Sequence, residues 1–222
     1  MRNKLIEEGA NVRVVGNVWD ETQRETLKFI ESESDGDDDD SILYVPPFDH
    51  PDIWEGHATV VDELSQQLSS PPDAIVVSVG GGGFFIGVCQ GVQRVGWSKT
   101  TKVIAMETIG ADSLYQSVQA KKLITLPAIT SVAKSLGALC VSKEALNCVL
   151  NNSENVISNV VSDEEALEAC ALFQKEFDLL VEPACGASLA TVYLDDVMKR
   201  IVPNDVESVC VLVCGGNMTQ KK

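Results

Sequence analysis

Four consecutive glycines, Gly80 to Gly83, stand inside the stretch "AIVVSVGGGGFFIGVCQGV", Ala74 to Val92. They separate a β-branched apolar run from a second apolar run. Each glycine loses more backbone entropy on folding than any other residue and adds no side chain to the core. What the four offer is bare backbone. Amides at the start of a helix lack partners and carry the positive end of its dipole, roughly half a charge. Without a Cβ in the way, an oxyanion can reach them. The pattern therefore predicts a phosphate cradle. A glycine-rich turn that allows close strand–helix packing is the alternative for the same residues.

Two nucleotide motifs can be compared with this loop. A Walker P-loop needs G-x-x-x-x-G-K-[ST]; Gly82 and Gly87 have that spacing, but Val88 stands where the lysine belongs. The dinucleotide pattern G-x-G-x-x-G would need glycine at 85 or 86, where Phe85 and Ile86 stand. Yet Glu107 ends the next apolar run, as a ribose-binding acid would. A nucleotide-binding α/β domain thus stays open on these residues alone.

A loop of this kind must be held between a strand and a helix, and the surrounding pattern supplies both. Ala74–Val79 is the continuous β-branched run expected of a strand buried on both faces. Phe84–Val95 reads as the helix after it, Val103–Met106 as a strand, and Ala111–Ala120 as a helix. Upstream, Asn11–Gly16 and Ile42–Val45 read as strands, Asp20–Ser32 as a helix with acids in its first turn, and Pro46–His57 as a proline-rich turn before a helix over His57–Leu68. Downstream, "SDEE" makes Ser162 an N-cap and Glu165 its capping-box partner for a helix to Phe177. Leu179–Val181 as strand, Ala184–Ile201 as one helix and Ser208–Val213 as strand complete the set. Strands alternating with long helices indicate parallel βαβ units, so the class is α/β, a parallel-rich sheet with helices on both faces.

Composition bounds the function. The 222 residues are 45% hydrophobic, enough for a sizeable core, and the net charge is −16. Seven of the 33 acids fall in "ESESDGDDDD", Glu31 to Asp40, which reads as a solvated loop without EF-hand spacing. Such acidity argues against a nucleic-acid partner. The longest apolar runs are far shorter than the ~20 residues of a membrane span. "MRNKLIEEGA" has no apolar core of the signal-peptide type, so a cytoplasmic location is expected.

Seven cysteines, at 89, 140, 148, 170, 185, 210 and 214, include no C-x-x-C. They read as reduced thiols in apolar contexts. Cys210 and Cys214 would lie roughly 13 Å apart along a strand, too far for one metal. His50 and His57, the only histidines, and Trp54 are read as structural.

A wider resemblance appears once the segments are read in order. "PPFDHPDIWEGHATVVDEL", "SVGGGGFFIGV", "VIAMETIGADS", "ITSVAKSLG", "VEPACGAS" and "VCGGN" together resemble the serine/threonine dehydratases. These are pyridoxal 5'-phosphate (PLP) enzymes of fold type II, the tryptophan synthase β-like fold, and the likeness is greatest to the animal-type L-serine ammonia-lyases. It runs from "KLIEEGANVRVVG" to Asn217. The resemblance implies that Gly80, Gly81, Gly82 and Gly83 hold the PLP phosphate with Phe84 beside them, and that Cys214 faces the pyridine nitrogen. A thiol is a weak acid and does not hold a pyridinium as an aspartate would. Glu107, Ala111, Ser113, Leu136 and Ala138 align with the family's monovalent-cation site, whose oxygen donors suit K+. For Glu107 a strand-end surface carboxylate or a helix cap is the alternative.

By the same resemblance the reaction is β-elimination from L-serine, with L-threonine as a second substrate. The products are pyruvate or 2-oxobutanoate and ammonia, an amino-acid catabolism that feeds gluconeogenesis, carried out in the cytoplasm by a homodimer. The partner is a small amino acid. Serine racemase shares the fold and is the alternative within the family. The lysine motif S-F-K-x-R-G and the substrate loop S-x-G-N-x-G do not occur in the sequence. The chain is therefore expected to correspond to the latter part of a dehydratase, with residues 1–40 a remnant of the small domain and 41–222 the large PLP-binding domain. Alone it is expected to be inactive. A truncated non-catalytic paralogue is the remaining alternative.

Overall fold

The computed structural model describes residues 2–33 and 42–215. The chain divides into two compact units, Met1–Val45 and Pro46–Lys222. The first holds two helices, α1 (Arg2–Glu7) and α2 (Trp19–Glu33). Asp20 and Glu21 occupy the first turn of α2, where acids favour the helix dipole. The acids at 34–40 lie outside the described residues.

The second unit carries α3 (Pro51–Gln67), β1 (Ala74–Ser78), α4 (Gly83–Arg94), β2 (Lys102–Thr108), α5 (Ser113–Ala120), a 3-10 turn at Lys134–Leu136, α6 (Lys143–Asn151), β3 (Val156–Val161), α7 (Asp163–Phe177), α8 (Pro183–Tyr193), α9 (Asp195–Ile201) and β4 (Val209–Val211). The four strands form one sheet in the order β3-β2-β1-β4. Every pairing is parallel, with Ala74 beside both Lys102 and Val209. This is the α/β architecture expected from the sequence.

Alternation along the strands divides two cores. Ala74, Val76, Ile104 and Met106 point to one face, against Ala166 and Ala169 of α7, Ala187 and Leu189 of α8, and Val197 and Ile201 of α9. Ile75, Val77, Val103 and Ala105 point to the other, against Val61 of α3, Phe85, Val88 and Val92 of α4, Leu114 of α5, and Ala145 and Val149 of α6. All five residues of β1 are buried, so its side chains help fill both cores, with Ile75, Val76 and Val77 each worth about 1.5–3 kcal/mol relative to exposure.

Several sequence expectations need correction. Asn11–Gly16 and Ile42–Val45 form no strand. β-branched residues become a strand only where a neighbour supplies ladder partners, and none pairs with them among the described residues. Leu179–Val181 is likewise not a strand; it links α7 to α8, starting after Asp178, which turns the chain at φ +54. The helix expected over Ala184–Ile201 breaks at Leu194, whose extended backbone ends α8 and starts α9. Asp195 and Asp196, acids in the first turn of α9, are the overlooked signal. Finally, α3 begins inside the proline-rich segment, with His50 as N-cap accepting from the Asp52 amide and Pro51 in the first turn.

Candidate functional site

Strand order sets the place of the site. From β1 the chain moves one way to β2, while β4 returns on β1's other side. In open parallel sheets a crevice forms beyond the carboxyl ends of strands where the order reverses in this way. Gly80–Gly83 follows β1, and Cys214 follows β4. The fold thus brings two separately predicted parts to one end of adjacent strands.

The glycine loop lines a cavity of about 270 Å³ together with Pro47, Phe48, His57, Ser78, Phe84 and Ser135. Its four glycines are held tightly. A Cβ at Gly81 would collide with the Phe48 ring, and one at Gly83 with the Phe48 carbonyl. Gly82 sits at φ +100, and a Cβ there would lie 2.7 Å from that of Ala145. At Gly80 it would lie 3.3 Å from the Ser135 carbonyl oxygen. Close packing therefore explains much of the need for glycine, as the alternative reading of the sequence had it.

The helix that the loop opens supplies the electrostatic part. The first backbone bond of α4 runs from Ile86 N to Gly82 O at 2.9 Å. Helix geometry leaves the amides of Gly83, Phe84 and Phe85 without intrahelical acceptors, and no side chain caps them. By contrast α3, α6 and α7 are capped by His50, Ser142 and Ser162. An uncapped N-terminus facing a cavity is a place for an anion. Beside it, burial pushes the pKa of His57 below its usual value, and its ring meets Phe84 edge-on with centroids 5.3 Å apart.

Across the switch point lies Cys185, in the first turn of α8, whose Sγ donates to the Gly215 carbonyl oxygen at 3.8 Å. Interaction with Cys214 draws the pKa of Cys185 down to about 7, while Cys214 is held above its usual value.

Glu107 is fully buried near the end of β2. Its carboxylate accepts from the amides of Leu114 at 2.9 Å and Tyr115 at 2.7 Å, so it caps α5. Burial outweighs those two bonds and pushes its pKa up to about 8. Nearby Ser113 Oγ is buried with no hydrogen-bond partner, an orphaned oxygen that suits a cation. Ala111 and Leu136 meet in one apolar cluster. Leu136 and Ala138 are buried in the loop that passes Gly80, and the Leu136 carbonyl accepts from Ala138 N at 2.8 Å. Glu107, Ala111 and Ser113 thus sit together around the start of α5, with the acid already engaged as a helix cap.

Two contributors escaped sequence reasoning. Phe48 covers the loop, and Ser142 N donates to Gly81 O at 3.0 Å. Of these, only Ser142 carried a signal, as a serine standing where it caps α6.

Comparison with known proteins agrees with this geometry. The family model described as "Pyridoxal-phosphate dependent enzyme" matches residues 1–215. The chain is 45% identical over 218 residues to the L-serine dehydratase/L-threonine deaminase of Bos taurus, covering 96% of this chain and 64% of that protein. Among solved structures it is similar to a fungal L-serine ammonia-lyase from Rhizomucor miehei, with TM-score 0.81 and 35% identity over 97% of this chain and 65% of that one. It is also similar to the serine racemase of Dictyostelium discoideum, with TM-score 0.78 and 25% identity over 99% of this chain and 65% of that one. The chain thus spans a little under two thirds of the length of these relatives.

Proposed function

The chain belongs to the pyridoxal-phosphate dependent enzyme family, and from that premise we propose that it holds PLP at the switch point and serves β-elimination from L-serine, with L-threonine as a second substrate. Its fold is fold type II, tryptophan synthase β-like. The observation that carries the proposal is the uncapped start of α4, opening on a cavity beside the end of β4.

Each residue has a part in this reading. The amides of Gly83, Phe84 and Phe85 donate to the phosphate oxygens, and Gly80 to Gly82 let the group approach. The Cys214 thiol faces the ring nitrogen, and as a weak acid it leaves that nitrogen uncharged. When bound, the cofactor draws electron density away from the substrate Cα, which eases loss of the β-hydroxyl. Phe48 excludes water from the phosphate side, which strengthens the polar contacts there. No lysine lines the cavity among the described residues, so covalent attachment of PLP is assigned to no residue of this chain.

Around this centre we place K+ at Glu107, Ala111, Ser113, Leu136 and Ala138. Residues 1–40 belong to a small domain and 41–222 to the large one, and the enzyme is a cytoplasmic homodimer. The test is to add PLP and L-serine to residues 1–222, alone and fused to the lysine-bearing segment of a relative, and measure pyruvate, ammonia and D-serine. The chain alone should bind PLP weakly without turnover, and the fusion should release pyruvate and ammonia. D-serine without pyruvate from the fusion would replace the lyase reading by a racemase one. Neither product from the fusion would point to a non-catalytic paralogue.

A further inference from the structure

A second cavity, of about 360 Å³, opens between α4 and α6 and shares no lining residue with the one at the glycine loop. Its floor is apolar, with Val92, Val103 and Val156 all buried. Its wall is built of carboxamides from both helices and from the turn into β3, together with one acid, Glu144. No lysine, arginine or histidine lines it among the described residues. Hydrogen bonds fix how three of the amides face. Asn147 Nδ2 donates to Glu144 Oε2 at 3.1 Å, Asn152 Nδ2 to the Cys148 carbonyl at 3.1 Å, and Asn155 Nδ2 to the Ser98 carbonyl at 3.1 Å. An acceptor at the far end of each bond requires the nitrogen there, so the amide oxygen is the end left over. Among the described residues none of these three oxygens accepts a hydrogen bond, and neither does Glu144 Oε1.

The cavity thus combines surplus acceptors, one carboxylate and an apolar floor. An anion placed there would meet a carboxylate and no counter-charge. An apolar ligand would leave the acceptors unpaired. A protonated amine has three donors and no acceptor, which is the complement of this wall. The acceptors are also spread out: at about 1.5 Å per residue, α6 sets Glu144 and Asn152 roughly 12 Å apart. A ligand that reaches both must be long, and the valines between favour a stem of methylenes. We propose that this cavity binds an aliphatic polyamine, with one ammonium group at Glu144 and Asn147, another at Asn152 and Asn155, and the carbon chain over Val92, Val103 and Val156. The net charge of −16 favours the approach of such a cation. The proposal is independent of the function proposed above.

The experiment titrates the whole chain with spermidine by calorimetry at physiological salt, where diffuse attraction between exposed charges is largely screened. Saturable binding of a single spermidine per chain is the expected result. Glu144→Gln removes the charge but keeps an acceptor for Asn147, and should weaken binding about tenfold or more. Asn147→Leu, which removes one of the free oxygens, should weaken it in the same direction. Glu164→Gln, at an exposed acid of α7 outside the cavity, should leave it unchanged. Circular dichroism checks that each variant is folded. Absence of saturable binding overturns the proposal. So does a loss as large in Glu164→Gln as in Glu144→Gln, which is counterion attraction alone. Sorbitol bound in place of spermidine would make the cavity a neutral polyol site and overturn it as well.

Discussion

The backbone amide of Ser142 donates to the carbonyl of Gly81 at 3.0 Å. The hydroxyl of the same serine caps α6, accepting from Ala145 N at 3.2 Å, and Ala145 packs under Gly82. The glycine loop is therefore set by two helices, α4 that it opens and α6 that braces it from behind. Ser142→Ala should remove the cap and cost about 1 kcal/mol, a melting-temperature fall of roughly 2–4 °C for a chain of this size. Ser142→Asp, which keeps an acceptor, should retain most of the stability. Thermal melts of the three proteins decide it.

Packing and phosphate binding can be separated at Gly81. Gly81→Ala forces a methyl into the Phe48 ring and should destabilise the fold. Phe48→Ala makes room, so the double variant should be more stable than the two single losses predict, with a coupling of about 1 kcal/mol or more. PLP affinity should stay low in the double variant, because the methyl still crowds the loop. Full recovery of affinity would make the glycine a packing residue only.

Glu107 should give stability a distinct pH dependence. Its pKa in the fold is raised to about 8 from 4.5, so the folded state holds the proton more tightly than the unfolded one. The stabilisation is full below the unfolded value and is lost as pH rises through the folded one. Between those values stability should decline, by on the order of a few kcal/mol. Potassium beside the carboxylate should reduce the decline relative to tetramethylammonium, and Glu107→Gln should flatten it. Denaturation midpoints across that range in the two salts provide the check; a decline indifferent to potassium removes the cation from Glu107.

The sheet was legible because β1 and β2 are continuous apolar runs and their glycine and acidic ends are distinctive. Position alone put Gly80–Gly83 and Glu107 at strand ends. What stayed hidden depended on contacts between distant segments. Asn11–Gly16 and Leu179–Val181 have strand composition but no ladder neighbour. β3, with Ser158 and Asn159 inside a β-branched run, and α6, with Ser142 as its cap, carry local signals of strand and helix. Phe48 over Gly81 and Cys185 beside Gly215 come from different parts of the chain, and no local pattern encodes them. Glu107 shows a third case: its two readings, helix cap and cation ligand, are set by the same buried oxygens, and the fold shows the cap directly.

The central claim is that the uncapped start of α4 binds a phosphate. Comparing the affinities of PLP and of pyridoxal, which lacks that group, tests it most directly. Each charge-assisted hydrogen bond to the phosphate is worth about 1.5–3 kcal/mol, so two such bonds predict PLP binding tighter by roughly a hundredfold or more. Calorimetric titration of the two ligands should show that gap. Equal affinities would contradict the account and return Gly80–Gly83 to a packing turn.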